Sequence, residues 1–503
     1  MADVMKYAYI LREVESTVSL SDYFSTFAHE EHSFFLDSAK DPEKLGRYSF
    51  AGRQPFLVFK SKGWQIEIHE HHRIIRKEGQ PFQELGLLLS RYKVDPSAYR
   101  DSQIPFLGGA VGYFGYELNY VLEKLPSLGD DDLGLPDSYF MFVDHVLIYD
   151  HLEKRLFLSV IAFDEIQEVA HEKVEGRFNE LREWMLSVEA EIVTEREHLT
   201  SCRLNPDVDR ETTTTEVHFR EMFDESQYMA AVQKARDHIF AGDIFEICMT
   251  HRFECDFEGD PFALYKHLRR INPAPFASFL NLPCVKVVSS SPERFVRVDR
   301  QGWCTSRPIK GTRPRGKTPR QDKQLHRELM ASIKDRAENM MIVDLVRNDF
   351  GRVCEVGTVQ VSELMIIEKY ATVFQMVSTI IGKLEQGKNS LDLVQACFPG
   401  GSMTGAPKIE AMKIIDALEP VKRGIYSGSI GYIDYAGNLD LNIVIRTILI
   451  KDGRAYFQVG GAIVADSDPR DEYMETLHKA KALRLALQTA VQQLASVPAL
   501  HKG

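Results

Sequence analysis

The sequence has 503 residues, of which 44% are hydrophobic and 27% charged, so it is long enough for two or three domains and has the composition of a soluble globular protein. Its formal net charge of -12 argues against general nucleic-acid binding, although a local cationic pocket can still hold a small anion. No apolar stretch reaches the length of a membrane span, the N-terminus lacks the pattern of a secretory signal, and the seven dispersed cysteines form no CxxC pair, which together predict a cytoplasmic protein with reduced thiols.

The first predicted region, residues 1–190, mixes strands with helices. Residues 62–70 alternate in the manner of a strand, and residues 167–193 are long and highly charged, which predicts an exposed helix. The following segment, 191–225, is polar and poor in large apolar residues, so we interpret it as a linker or an exposed excursion.

The second predicted region, residues 226–495, has clearer periodicity. A helix is predicted from residue 226 with Gly242 and Asp243 as its stop, and three strands are predicted at 284–290, 294–299 and 358–364. Residues 425–464 predict a three-stranded antiparallel meander, with turns at 436–438 and 451–453. Because strands and helices come in clusters rather than in strict alternation, the predicted fold class is α+β with antiparallel sheets.

Residues 307–317, RPIKGTRPRGK, hold five cations and no acid. Neighbouring cations and burial both lower the pKa of a lysine, and the free amine can then act as a nucleophile or a base. Lys310, in the middle of this segment, is therefore a candidate catalytic residue. The spacing leaves open that these cations are simply exposed to solvent.

The last predicted helix places Glu472, Glu475 and Lys479 on one face, after Asp468 and Pro469 at its start. Two carboxylates one turn apart suit Mg²⁺, which uses one or two carboxylates and keeps positions for substrate and water. A solvated helix face with an ordinary ion pair is the alternative.

The glycine-rich loop from Gly400 to Gly405 leads into a helix that begins near Pro407, and backbone N–H groups at such a junction can bind an anion. A nucleotide-binding P-loop is disfavoured, because Ala406 stands where that motif needs lysine. An ordinary capped turn remains the alternative here. Glu338, at the edge of a buried helical stripe, is by its position alone an ordinary boundary glutamate.

Arg446 interrupts an apolar strand on the side of Val444 and Ile448, where a buried guanidinium needs an anion or a carboxylate partner. A substrate carboxylate would bind it in a bidentate fork, and a structural ion pair is the alternative. Gly460 and Gly461, on the next strand, would let a ligand approach the backbone closely.

Taken together, these segments resemble the chorismate-utilising enzymes, a family that includes the anthranilate, aminodeoxychorismate, isochorismate and salicylate synthases. The motifs that carry the resemblance occur in the family's order: SPERF, PIKGTRPRG, DRAENMMIVDLVRND, PGGSMTGAPK, GSIGY, IRT and GGAIVADSDP. They span about residues 226 to 490, and the N-terminal half matches more loosely. The resemblance implies a fold in which large antiparallel sheets pack together with helices outside.

Within this family, residues 308–312 and 400–404 resemble the aminodeoxychorismate synthase component I branch, whereas anthranilate synthases typically have alanine at the position of Lys310. The implied reaction replaces the C4 hydroxyl of chorismate with an amino group and yields 4-amino-4-deoxychorismate, a precursor of 4-aminobenzoate and folate. By resemblance, Lys310 adds to ring carbon C2 as the C4 hydroxyl leaves, Glu293 assists as general acid, and ammonia then attacks C4 and expels the lysine.

The resemblance also assigns binding roles. Glu338 and Glu475 are implied ligands of Mg²⁺, with Glu472 beside them. The metal is implied to hold the ring carboxylate of chorismate. The residues implied to bind the substrate itself are Arg446, Tyr426, Gly460, Gly461, Lys479 and Thr312.

Two positions depart from the family pattern. Glu246 stands where many amino-transferring members have glutamine and where the water-using members have lysine, which argues against isochorismate or salicylate synthesis. Gln375 stands where many members have a histidine that is associated with pyruvate elimination, so its presence favours a product that keeps the enolpyruvyl group.

The segment 34–52 resembles the region that forms the tryptophan pocket of anthranilate synthases, with Asp37 in place of a common glutamate, and plain sheet core is the alternative. No segment resembles an amidotransferase domain, so the resemblance implies that a separate glutamine amidotransferase subunit supplies ammonia. Two alternative functions stay open: anthranilate synthase component I, and a non-catalytic regulator that binds chorismate or tryptophan. The joint retention of Glu293, Glu338, Glu475 and Lys479 argues against the regulator.

Overall fold

The computed structural model describes residues 4–38, 41, 43–70, 73–202, 217–370 and 373–495. In these ranges the α-helices are α1 (Leu20–Phe27), α2 (Pro81–Arg91), α3 (Asn119–Leu122), α4 (Gln167–Cys202), α5 (Glu225–Ala241), α6 (Pro261–Ile271), α7 (Pro319–Ala331), α8 (Ile333–Gly351), α9 (Ser390–Cys397), α10 (Lys408–Leu418) and α11 (Pro469–Ala495). Short 3₁₀ turns occur at Pro96–Tyr99, Tyr116–Leu118 and Gly401–Met403.

The strands of the described residues are β1 (Lys6–Glu13), β2 (Ser33–Asp37), β3 (Tyr48–Gly52), β4 (Leu57–Lys62), β5 (Gln65–Glu70), β6 (Arg73–Glu78), β7 (Gly109–Phe114), β8 (Ser138–Val143), β9 (His145–Asp150), β10 (Arg155–Asp164), β11 (Arg220–Glu221), β12 (Glu246–Asp256), β13 (Phe276–Leu282), β14 (Val285–Ser291), β15 (Arg294–Val298), β16 (Trp303–Ser306), β17 (Ile309–Pro314), β18 (Gln360–Lys369), β19 (Val373–Lys383), β20 (Gly405–Ala406), β21 (Ser429–Asp434), β22 (Leu439–Asn442), β23 (Thr447–Lys451) and β24 (Arg454–Ile463).

These strands form two twelve-stranded sheets. Sheet A has the order β1-β10-β9-β3-β2-β13-β14-β23-β24-β12-β11, with β20 beside β12. Sheet B has the order β17-β19-β16-β15-β22-β21-β7-β8-β4-β5-β6, with β18 beside β19. Neighbouring strands run antiparallel, so the prediction of an α+β fold with antiparallel sheets is confirmed. Both predicted regions, 1–190 and 226–495, contribute strands to each sheet.

The largest buried apolar cluster lies between the two sheets, since it joins Phe34 of sheet A to Phe140 of sheet B. A second cluster lies on the other face of sheet A and contains side chains of α1, α4, α6 and α11, among them Phe24 and Leu483. Helices therefore cover the outside of sheet A while the sheets cover each other. Burial of this apolar surface from water is the main stabilising contribution to such a layered core.

Most of the predicted elements are confirmed by their local chemistry. Helix α5 begins with a capping box between Asp224 and Gln227 and ends at Gly242, whose φ of 86° is the left-handed conformation that glycine adopts readily. Helix α11 begins at Pro469, and Asp468 accepts the N–H groups of the first turn. Strands β5, β14, β15 and β18 lie at the predicted positions.

Two predictions of local structure need correction. Helix α4 continues to Cys202, inside the segment 191–225 that was interpreted as a linker or an exposed excursion, so the helix is longer than the predicted 167–193. Residues 203–216 of that segment lie outside the described residues.

No helix in the part of the chain that the structure describes combines the length and apolar character needed to cross a bilayer.

The predicted three-stranded meander is also wrong in its middle strand. The stretch 439–451 divides into β22, which belongs to sheet B, and β23, which belongs to sheet A. Arg446 lies between them with a φ of 53°, and the chain changes sheets there. The two predicted turns are correct, since they join β21 to β22 and β23 to β24. Arg446 is thus at a corner where the sheets meet, rather than on the face of a strand.

Candidate active site

The Lys310 side chain is buried at the centre of a cluster of carboxylates. It lies on β17 and is only 9% exposed. Its ammonium donates a hydrogen bond of 2.6 Å to Oε1 of Glu246, and its Nζ is 4.0 Å from Oε2 of Glu338. Glu246 begins β12 of sheet A and Glu338 lies on α8, so three separate elements converge on one amine.

These carboxylates raise the pKa of Lys310. Burial alone lowers it, but the attraction of Glu246 and Glu338 outweighs burial and holds the pKa above its usual range. The lysine is therefore a protonated ammonium when the site holds no ligand. This result corrects the expectation that neighbouring cations keep the Lys310 amine neutral.

The three arginines of the segment 307–317 are paired with acids of their own. Arg307 contacts Glu363 and Glu368. Further along, Arg313 binds Asp335, and Arg315 binds Asp322 through two N–H groups. Neighbouring carboxylates neutralise the charges of these three arginines, so the arginines anchor the strand that carries Lys310.

Glu293 lies beside this cluster, in the turn between β14 and β15. Its Oε1 accepts the backbone N–H of Ile309, next to Lys310, at 3.5 Å, and the Ser402 hydroxyl also bonds its carboxylate. Burial raises the pKa of Glu293 to about 7, despite these hydrogen bonds and the nearby Lys310. A carboxyl group with a pKa near neutrality is suited to general acid catalysis.

The predicted face of α11 points at the paired glycines of β24. A side chain added at Gly461 would lie 3.1 Å from Oε2 of Glu472, 3.6 Å from Oε1 of Glu475 and 3.9 Å from Nζ of Lys479. Lys479 donates to the carbonyl of Gly460 at 2.7 Å and pairs with Glu475 at 2.8 Å. The structure therefore brings this predicted group together, and glycine at 461 keeps the space in front of it open.

Helices α8 and α11 bring their carboxylates close enough to share a cation. The ammonium of Lys334 lies 4.0 Å from Oε1 of Glu338 and 3.6 Å from Oε1 of Glu472. Burial raises the pKa of Glu338 to about 7 and also raises that of Glu472, so a positive charge placed between them would be favoured. The described residues hold no ready group of three or more metal-ligating side chains. Two carboxylates suffice for Mg²⁺, which completes its shell with water and substrate, so this location fits that ion.

Arg446 and Tyr426 lie near each other at the sheet corner. Burial lowers the pKa of Arg446, and the interaction with Tyr426 partly opposes that effect. Among the described residues, no carboxylate pairs with the Arg446 guanidinium and no side-chain hydrogen bond engages it. An arginine held without a partner is suited to an anionic ligand.

Two residues singled out in the sequence lie at the margin of the site. Thr312 follows Lys310 on β17, but its side chain is exposed. It faces Gln375 of β19 in the backbone register, and Gln375 is half-buried. The structure ties neither side chain to the Lys310 cluster by a hydrogen bond.

An ion pair that the sequence analysis did not single out, between Arg423 and Glu419, lies beside the site. Arg423 is almost fully buried and donates to both oxygens of Glu419, to the carbonyls of Met403 and Cys248, and to the Ser427 hydroxyl. We call this set the Arg423 network. It joins the glycine-rich loop, strand β12 and the turn after Tyr426. Glu419 and Ser427 each lie four positions from Arg423, but the carbonyls of Met403 and Cys248 lie 20 and 175 positions away, so the spacing does not reveal the network as a whole.

A separate cavity of about 290 Å³ lies against the segment 34–52. Its lining includes Asp37, Lys44 and Arg47 from that segment and Arg294 and Tyr432 from the second region. Within it, the Asp37 carboxylate is already bound by Tyr265 and Arg269. The cavity lies where the resemblance implied a tryptophan pocket.

The chain matches one family model and several known proteins. A family model described as chorismate binding enzyme matches residues 32–484. The chain is 38% identical over 482 residues to anthranilate synthase component 1 of Acetivibrio thermocellus, which covers 96% of this chain and 94% of the relative. It is also 38% identical over 464 residues to aminodeoxychorismate synthase component 1 of Bacillus subtilis (strain 168), with coverage of 92% and 93%.

The fold has a close counterpart among solved structures. The crystal structure of anthranilate synthase component I from Streptococcus pneumoniae TIGR4 superposes with a TM-score of 0.71 at 29% identity, and the match covers 88% of this chain and 95% of that one. This likeness confirms the predicted architecture of two packed antiparallel sheets with helices outside. Relatives of both names are equally similar in sequence, so similarity alone does not select a product.

Proposed function

The chain belongs to the chorismate binding enzyme family, and within that family we propose that it converts chorismate and ammonia to 4-amino-4-deoxychorismate. The observation that carries this proposal is the position of Lys310, a buried amine bonded to Glu246 and close to both Glu293 and Glu338. A lysine without a role in binding or catalysis is not expected in the interior among three carboxylates, since burying a charge is costly.

The residues supply the groups that such a replacement needs. Lys310 has to lose its proton before it attacks ring carbon C2, and Oε1 of Glu246 at 2.6 Å is the acceptor within reach. As the Nζ–C2 bond forms, the C4–oxygen bond breaks and Glu293 gives a proton to the departing hydroxyl, which leaves as water. Ammonia then bonds to C4, the ring double bonds shift back, and the C2–Nζ bond breaks to release Lys310.

Substrate binding follows from the charges around this centre. Chorismate is a dianion, and Arg446 with Tyr426 offers a cationic site for its pyruvyl carboxylate. Glu338 and Glu475, with Glu472 beside them, would hold Mg²⁺, and that ion would supply the positive charge that binds the ring carboxylate. Lys479, fixed by the Gly460 carbonyl, would support the same carboxylate, and Thr312 would lie at the mouth of the site.

Ammonia is proposed to come from a separate glutamine amidotransferase. The Bacillus subtilis relative is named a component 1, which supports a partner of this kind. We further propose that the product feeds 4-aminobenzoate and folate synthesis in the cytoplasm. We propose that the cavity beside segment 34–52 accepts tryptophan, which would bind the polar side chains that line it.

Product identification tests the proposal directly. The purified protein is mixed with chorismate, Mg²⁺ and ammonium at mildly alkaline pH, and the products are identified by mass. We expect a product that keeps the enolpyruvyl group and that an added aminodeoxychorismate lyase converts to 4-aminobenzoate. Anthranilate with pyruvate would instead select the anthranilate synthase alternative, and chorismate binding without Mg²⁺-dependent turnover would select the regulator.

A further inference from the structure

We infer that Asp349 returns a proton to Glu293 in each turnover, through one water molecule held in a cavity that adjoins both carboxyl groups. This inference rests on the proposed function, in which Glu293 gives its proton to the departing C4 hydroxyl. Asp349 acts through Glu293 and does not touch the substrate. The glycine-rich loop at 400–405, which the proposed reaction leaves without a role, forms one wall of this cavity.

The cavity has a volume of about 20 Å³. Glu293, Ser402 and Asp349 are polar residues of its lining, and apolar side chains of α8, among them Val346, form part of the remainder. The volume is enough for one water molecule, and the polar residues can supply the hydrogen bonds that such a water needs. Lys310 does not line the cavity, so the cavity meets Glu293 away from the reacting amine.

The proton balance of the proposed reaction requires a proton from solvent. Glu293 becomes a carboxylate when the C4 hydroxyl departs as water. The proton that Lys310 gives to Glu246 returns to Lys310 when the C2–Nζ bond breaks, so it does not serve Glu293. Ammonia attacks as a neutral molecule and keeps its three protons as the ammonium group of the product. Glu293 is only 6% exposed, so a defined route for its reprotonation is expected.

Asp349 is the other carboxyl group in the lining of the cavity. Its Oδ2 pairs with the Lys408 ammonium at 2.7 Å, and Lys408 also donates to the carbonyl of Cys397. Burial raises the pKa of Asp349, although Lys408 and Arg352 attract its negative charge. The Cys397 thiol beside it stays protonated, because burial raises its pKa as well. Asp349 can therefore carry a proton at a higher pH than an exposed aspartate can.

The glycine-rich loop holds the groups of this route in place. A Cβ at Gly400 would lie 2.5 Å from Cδ1 of Ile443, so only glycine lets the loop pack this closely. The Ser402 hydroxyl of the same loop bonds the carboxylate of Glu293. Helix α10 begins just after the loop, at Lys408. The loop and the first residue of α10 thus contact both carboxyl groups of the cavity.

The transfer moves protons alone. The cavity water gives a proton to the carboxylate of Glu293 and takes one from the carboxyl group of Asp349. Asp349 then regains its proton from solvent, beside the partly exposed Lys408. Every O–H bond that breaks is replaced by one that forms, and no oxidant or further reactant is needed.

The experiment compares steady-state kinetics of the wild type and Asp349→Asn, with chorismate varied at saturating ammonium and Mg²⁺. The amide keeps nearly the shape of aspartate but does not pass on a proton. Each protein is assayed in H₂O and in D₂O on the flat part of its pH profile. Asp344→Asn is the matched control, because Asp344 lies on the same helix, is exposed and pairs with Arg347.

We expect Asp349→Asn to lower kcat on the order of tenfold and to enlarge the solvent isotope effect on kcat, because reprotonation of Glu293 becomes the slow step. The value of kcat/KM for chorismate should stay within about twofold, since it reports the steps through C4–oxygen cleavage in enzyme that already carries the proton. Asp344→Asn should match the wild type, as surface substitutions usually do.

Two results would overturn the inference. Equal losses in kcat and kcat/KM would make Asp349 only a structural partner of Lys408. An unchanged kcat would mean that the proton reaches Glu293 through the mouth of the active site.

A second variant covers the case in which Asp349→Asn does not fold. Val346→Ile adds one methylene at the cavity and leaves both carboxyl groups in place, so it should displace the water. The same lower kcat with an unchanged kcat/KM is expected, and an unchanged kcat would contradict the inference.

The product of the wild type separates this inference from the proposed function. If the wild type makes anthranilate, the proposed product is wrong, but the C4 hydroxyl still departs and the kinetic comparison still decides the role of Asp349. If the wild type converts no chorismate, both proposals fall.

Discussion

Two arginines of this protein, the fully buried Arg423 and the half-buried Arg446, show the difference between a charge that is paired within the fold and a charge that is available to a ligand. Arg423 shares its guanidinium among Glu419, two backbone carbonyls and the Ser427 hydroxyl, and it stacks over the Tyr116 ring at 4.6 Å. Arg446 has no ion-pair partner among the described residues, and burial lowers its pKa. Protein groups satisfy the hydrogen-bonding capacity of Arg423, whereas the guanidinium of Arg446 remains available to a ligand.

The same contrast extends to the groups around each arginine. Both oxygens of Glu419 are engaged, since its Oε1 also accepts the N–H and hydroxyl of Thr250. In the Lys310 cluster, Oε2 of Glu246 has no hydrogen-bond partner among the described residues, and burial raises the pKa of Glu293 to about 7. Polar groups left unsatisfied by the fold are costly, so their concentration in one place indicates binding and catalysis.

The largest effect on activity is expected from Lys310→Ala. Removing the proposed nucleophile should lower the rate of C4 amination on the order of a thousandfold, within the range for a positioned catalytic group. The rate of product formation by mass spectrometry checks this, with a thermal melt to confirm folding. Anthranilate production at the wild-type rate would contradict the prediction and make Lys310 a passenger.

Arg423→Met should give the largest loss of stability. It leaves Glu419 as an unpaired buried charge, for which about 3–5 kcal/mol of unfolding free energy is expected to be lost. Urea unfolding measures the change. The double variant Arg423→Met with Glu419→Gln removes the stranded charge but keeps an acceptor for Thr250, so part of the loss should be recovered. If the double variant is no more stable than Arg423→Met, the Arg423 network stabilises the protein through packing over Tyr116 and not through the ion pair.

Glu293→Gln should lower kcat/KM for chorismate by about a hundredfold, as expected for loss of a general acid. Because burial raises the pKa of Glu293 from 4.5 to about 7, the protonated form that donates prevails below pH 7 and is lost above it. At a fixed concentration of free ammonia, wild-type kcat/KM should therefore fall as the pH rises through 7. The variant should lack this decline, and an identical decline in both proteins would assign it to another group.

The smallest of these effects is expected from Arg446→Met. The KM for chorismate should rise on the order of tenfold, because one charge-assisted contact to the substrate is lost. Unfolding free energy should change by less than about 1 kcal/mol, since no protein partner is left unpaired. Arg446→Lys keeps the positive charge but lacks the planar guanidinium fork, so its KM for chorismate should lie between the values of the wild type and Arg446→Met. A stability loss as large as that of Arg423→Met would remove the distinction between the two arginines.

Local patterns predicted much of the fold because the physics behind them is local. Capping at Asp468, the stop at Gly242 and the turn at 451–453 depend on residues adjacent in the chain. The middle strand of the predicted meander failed for the opposite reason. Its residues before and after Arg446 are mostly apolar, so the stretch fits one continuous strand, and the local pattern does not show that the chain changes sheets at Arg446.

The sequence by itself determined the α+β class, most of the helices and strands, the family resemblance and the choice of candidate site residues. Only the tertiary structure decided how those residues act on one another. The arginines flanking Lys310 turned out to pair with Asp322, Asp335 and the acids near Arg307, while carboxylates from β12 and α8 surround its amine and raise its pKa. Electrostatic interactions depend on distance in space and on burial, and residues 64 positions apart in the chain, such as Glu246 and Lys310, meet only once both sheets are formed.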